Sequence, residues 1–136
     1  MPFGQLLKTY GLMTVAFLAI DLLWIGVVAK RFYERQLGAM LRPDVQWVPA
    51  ILFYLLFIAG LLVFAVLPGL EKGSLARTAA LGAFLGLVAY ATYDLTNLAL
   101  TKGFPAVVAG VDMLWGTAIA ATIATVGYGA ARWLAA

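Results

Sequence analysis

Cysteine and histidine are both absent from the 136 residues. Their absence excludes disulfides, iron–sulfur clusters, histidine or thiolate haem ligation and the ordinary zinc sites. It also removes the commonest general base and the thiol nucleophile. Any proton or bond chemistry falls to Asp, Tyr, Thr, Asn or Lys, or to an imported cofactor, and the residues name no cofactor and no metal. Charge is scarce as well. Asp, Glu, Lys and Arg make up 11% of the chain, against roughly 25% in a soluble domain. What is present is apolar: 65% of residues are hydrophobic and the mean hydropathy is +1.00. This is the composition of a membrane protein of one domain. A net charge of +3 with no basic stripe excludes nucleic acid as a partner.

Four apolar runs are long enough to cross a bilayer at about 20 residues per crossing. They extend roughly from Leu6 to Ala29, Trp47 to Leu67, Leu75 to Leu100 and Ala106 to Arg132. None alternates with the period of a barrel strand, so the expected fold is all-α, a polytopic transmembrane four-helix bundle over residues 1–136. The first run is too long for a signal-peptide core and carries Asp21, so it is expected to remain as a span. Pro68-Gly69 is expected to close the second span, and the short Thr101–Pro105 connection makes the last two an antiparallel hairpin. Between the first two spans, Lys30–Leu41 has the pattern of a short interfacial helix, with Phe32, Leu37, Met40 and Leu41 dipping toward lipid. An irregular polar loop fits the same stretch. Basic residues divide almost evenly between the two membrane faces. The compact Lys30-Arg31…Arg35 cluster favours both termini outside.

The informative feature is three acids inside the spans. Asp21 lies nine residues before Lys30, Asp94 eight before Lys102 and Asp112 ten after Lys102. At 1.5 Å per residue all three sit roughly 12–15 Å inside the same membrane face. That common depth argues against an inverted repeat, which would carry one of them into the opposite leaflet. Trp24 follows Asp21 by three, and Trp115 follows Asp112 by three. A pair at that spacing shares a helix face, and an indole N–H can donate to a carboxylate. The third span adds Tyr90, Tyr93, Thr96 and Asn97, with Tyr90, Asp94 and Asn97 on one face. In the second span the only polar interior group is Tyr54. These residues predict a polar, aromatic-walled pocket in one leaflet, with Asp94, Asp21 and Asp112 as its candidate catalytic groups. Trp24, Tyr90, Tyr93, Asn97 and Trp115 are the candidate ligand-binding residues.

A packing role for the acids stands beside the functional one, because Asp can lock a bundle by bonding Tyr, Thr, Asn and Trp neighbours. Three neighbouring anions repel, however, and at least one must carry a proton or be neutralised by a ligand. Gly82-x-x-x-Gly86 and the small residues Gly116, Ala120 and Ala124 permit close helix approach, within the bundle or between chains.

Asp21-Leu22-Leu23-Trp24, Tyr90–Ala99 and Asp112-Met113-Leu114-Trp115-Gly116 together resemble a bacterial family of small four-span inner-membrane proteins, a domain of unknown function. The resemblance covers essentially the whole chain. It implies a fold and a multi-pass location in the bacterial cytoplasmic membrane, and it brings no activity. Three readings follow from the residues. In the first, the pocket binds a lipid-like or amphipathic ligand from the membrane, with Asp94 as general acid or base on water in an enzymatic version. In the second, the chain is a small proton-coupled transporter working as a homo-oligomer. In the third, it is an accessory subunit of a larger membrane complex.

Overall fold

A computed structural model describes residues 1–136. It is all-helical, with four helices long and apolar enough to span a membrane: Phe3–Val28, Trp47–Glu71, Leu75–Leu100 and Ala106–Ala135. The first span is α1 (Phe3–Leu23) continued by a π-helical turn over Trp24–Val28, closed where the Ala29 N–H donates to the Trp24 carbonyl at 2.7 Å. Next comes α2 (Lys30–Leu37), a short helix outside the spans. The second span comprises α3 (Trp47–Leu61), a π-helical turn over Leu62–Val66 and α4 (Leu67–Glu71). The third and fourth are α5 (Leu75–Leu100) and α6 (Ala106–Ala135).

Pro68-Gly69 does not close the second span. Proline removes one backbone donor and crowds the preceding turn, and the widened π turn just before it absorbs that misfit, so the helix runs on to Glu71. Gly73, at φ 57°, makes the stop. Ser74 then caps α5 by accepting the Arg77 backbone N–H at 3.0 Å.

Large apolar side chains such as Val15, Leu56, Phe64 and Leu114 cover the outside of the bundle, as contact with lipid requires. Lipid removes the hydrophobic drive for helix association, so close packing has to hold the spans together. The Gly and Ala ridges supply it inside the chain. A Cβ on Gly82 would lie 2.6 Å from the Ala124 Cβ, and one on Gly86 would lie 2.3 Å from the Gly116 carbonyl oxygen. Backbone thus meets backbone between α5 and α6. Around this seam Met13, Phe17, Ile58, Leu61, Ile119 and Ile123 form a continuous apolar core. It fills the middle of the bundle and the half toward the Glu71–Ser74 turn. At the other end α3 leans away from α5, and the rings of Phe53, Phe57 and Tyr90 bridge the gap at centroid distances of 6.3 Å and 5.8 Å. The site occupies that open end.

Candidate functional site

A cavity of about 690 Å³ lies between the spans at the end bearing the Lys30 and Lys102 loops. Every span lines it, and α2 together with the loop after it forms its roof. Its floor holds Asp21, Tyr54, Tyr90, Asp112 and the two tryptophans. Most of the remaining wall is apolar, and Ile25, Val45 and Phe53, which line it, are also exposed. Lys30, Glu34 and Arg42 stand on the roof side.

The two Asp-x-Leu-Trp segments meet in the floor, but not as their spacing predicts. Neither indole bonds the acid of its own helix. The Trp115 Nε1–H of α6 donates to Asp21 Oδ1 of α1 at 3.1 Å. The Trp24 Nε1–H of the first span donates to the Tyr33 hydroxyl at 3.3 Å, and Tyr33 donates to Asp112 Oδ1 of α6 at 2.9 Å. The two indoles stack face to face, 4.3 Å between centroids and 6° from parallel. The second motif thus supplies the donor to the acid of the first directly, while the first reaches the acid of the second only through Tyr33 of α2, across a stacked pair. The physical reason is reach: an acid and an indole three residues apart both project from the helix, and the facing helix presents the better-placed partner. Tyr54, the polar group of the second span, adjoins the Asp21 carboxyl.

Asp94 is fully buried, with 0% of its surface exposed, and neither of its oxygens receives a hydrogen bond. It does not line the chamber. Its carboxyl adjoins that of Asp112, which does. Two full charges about 4 Å apart repel by about 4 kcal/mol even at an effective dielectric of about 20. A single proton between the pair removes that repulsion and turns two acceptors into a donor and an acceptor. Acid–base chemistry by Asp94 on a ligand would therefore run through Asp112.

Asn97 stands apart from the chamber. Its Nδ2 donates to the Tyr93 carbonyl at 3.0 Å, its Oδ1 accepts from Thr101 at 2.9 Å, and it borders a smaller recess of about 230 Å³. The Thr96 hydroxyl likewise turns back to the Thr92 and Tyr93 carbonyls. Both side chains satisfy their own helix, as short polar side chains in apolar surroundings do. Tyr93 lines the chamber, and its ring packs edge-on against Phe104 at 6.0 Å.

Tyr33 was not among the candidates from sequence. The expected interfacial helix exists as Lys30–Leu37, and part of its apolar face packs on protein. Phe32, Tyr33 and Leu37 pack on Phe104, Val108 and Ala109 at the start of α6, while Met40 and Leu41 stay exposed. That packing delivers the phenol to Asp112. The available signal was its lone polar-tipped ring within the apolar face of α2. Burial pushes the Tyr33 phenol above its ordinary value of 10.0, and Asp112 adds to the rise, so it keeps its proton and its role as donor.

One protein-family profile matches residues 6–129, which covers most of every span and takes in every residue of the floor. The chain belongs to that family, described as "Predicted membrane protein (DUF2177)". It is an integral membrane protein with several spans. No curated protein and no solved structure matches it. The family supplies a membrane location and no chemistry.

Proposed function

We propose that this protein binds a lipid-like or amphipathic molecule in the chamber, with the polar group on the Asp21–Asp112 floor and the apolar part passing between the spans into the bilayer. The observation that carries this reading is the chamber itself. At about 690 Å³ it falls within the range of roughly 300–1,000 Å³ typical of small-molecule sites, and it combines apolar walls with a few convergent polar groups. Exposed apolar lining residues on the spans, Ile25 and Phe53, suit a ligand arriving from lipid. The membrane in this reading is the bacterial cytoplasmic membrane, which the resemblance to small inner-membrane proteins supports.

Binding is favoured over passage across the membrane. Beyond the floor, the core around Phe17, Ile58 and Ile123 is continuous, and a single chain offers no path through it. The ridges on which docking to a larger complex would rest are consumed between α5 and α6. Native mass spectrometry of the full chain in a mild nonionic detergent tests the reading. The wild type should carry a defined adduct of lipid-like mass. Asp112→Ala should lose it, and Lys8→Ala, remote from the chamber, should keep it. A wild-type protein free of any adduct would refute the proposal.

A further inference from the structure

The floor has more acceptors than donors. Asp21 takes one indole N–H and has the Tyr54 hydroxyl beside it, and Asp112 takes one phenol O–H. Asp94, sealed behind Asp112, takes nothing. Neither Asp21 nor Asp94 has a lysine or arginine among the charges acting on it, and Lys30 and Arg42 belong to the roof side. A ligand that completes this floor must therefore bring donors or positive charge. Above the acids stand the Trp24–Trp115 stack and the rings of Tyr54 and Tyr90, and aromatic surfaces of this kind attract cations, most strongly where water is excluded.

We propose that the polar group taken by the chamber is an organic ammonium carried on an apolar body, held between Asp21 and Asp112, and that the proton shared by Asp94 and Asp112 leaves as it binds. This rests on the amphiphile-binding reading above and assigns its ligand class. The exchange follows from charge balance. One positive charge enters as one leaves, so the net charge of a low-dielectric site stays constant, and a large change in buried charge is avoided. Asp94 is the reason the proton is there. Its carboxyl has no protein donor, so it stays buried by sharing a proton with Asp112, and a cation at Asp112 takes over that role. Facing the pair are Asp21 on α1, Tyr33 on α2, Tyr54 on α3, and Tyr90 and Tyr93 on α5. Glu34, with Lys30 and Arg42, completes the charges around the chamber.

The test titrates the full chain in nonionic maltoside micelles with three probes of equal alkyl length: an alkyltrimethylammonium, an alkylglycerol and an alkyl sulfate. Tryptophan fluorescence and adduct mass report binding. The ammonium probe should saturate, with the other two at least tenfold weaker. Its apparent Kd should fall by up to about tenfold per pH unit over the range in which the pair holds its proton. Asp94→Asn keeps the side chain's size and holds no such proton, so its ammonium affinity should not change with pH. Its elution as a single symmetric peak, with wild-type helicity, checks that it folds. Preference for the glycerol or sulfate probe would overturn the ammonium assignment and leave amphiphile binding standing. Ammonium binding that ignores pH in the wild type would overturn the proton exchange. Failure of all three probes to saturate would overturn the amphiphile reading itself.

Discussion

Replacing Tyr33 with Phe tests whether α2 is the roof of a site or a passive loop. The ring remains, and so does its packing on Phe104, Val108 and Ala109 and its edge contact with Phe32 at 5.5 Å. What is lost is the 2.9 Å bond to Asp112 and the 3.3 Å bond from Trp24. A hydrogen bond to a charged group contributes about 1.5–3 kcal/mol net. Because this one is only partly buried, the lower end, about 1.5 kcal/mol, is the appropriate figure, close to tenfold in an opening equilibrium. Hydrogen exchange followed by mass spectrometry should show the α2 amides of Tyr33→Phe exchanging roughly tenfold faster, with those of α5 and α6 unchanged. Arg31→Ala, a change at an exposed position, should leave α2 as it was. The same bond has a pH signature. The folded chain holds the phenol proton more tightly than the opened one, because burial raises Tyr33 above 10.0. The contribution is therefore complete below about pH 10 and declines above it, once intrinsic exchange is corrected for. Unchanged α2 protection in Tyr33→Phe would refute the argument that this phenol fastens the roof.

Two further outcomes test the frame and the floor. Gly86→Ala places a methyl 2.3 Å from a backbone oxygen of α6, and overpacking of this kind costs about 1–3 kcal/mol. Unfolding in mixed micelles should show that loss, whereas Gly110→Ala, whose new Cβ meets nothing within 4 Å, should be neutral or slightly stabilising. The stacked Trp24–Trp115 pair should give an exciton couplet in circular dichroism. Either Trp→Phe substitution should abolish it, while Trp47→Phe should leave it in place.

The spans, the shared depth of the three acids and the small-residue ridges were legible in the sequence because each follows from a count along one helix. Asp21 and Asp112 reach the same floor because hydropathy and helical rise fix depth. Pairing across helices is a different matter. Trp24 and Trp115 look like partners of the acids three residues before them, and only the rotation of α1 against α6 decides that Trp115 bonds Asp21 while Trp24 bonds Tyr33. Asn97 shares a helical face with Asp94 in projection, yet it lies a turn nearer the membrane surface, where its amide has its own backbone to satisfy. Tyr33 was invisible for a related reason. A short amphipathic helix has the same pattern whether its apolar side meets lipid or protein, and Phe104 and Val108, which settle the matter here, lie far away in sequence. The burial of Asp94 behind Asp112 depends on how closely α5 and α6 approach, which the glycines permit but do not position.

The long-range bonds in the floor also bear on how the protein is made. Asp21 is joined to an indole 94 positions later, and Tyr33 to a carboxylate 79 positions later. At about 5–20 residues per second, ribosomal synthesis leaves Asp21 waiting roughly 5–20 s for Trp115. During that interval the first span carries an unmatched acid, and α2 has neither Asp112 nor the Phe104–Val108 surface to rest on. The chamber therefore comes into being in one step, when the final hairpin inserts. A chain stalled or cut before α6 would hold three well-formed spans and no site at all.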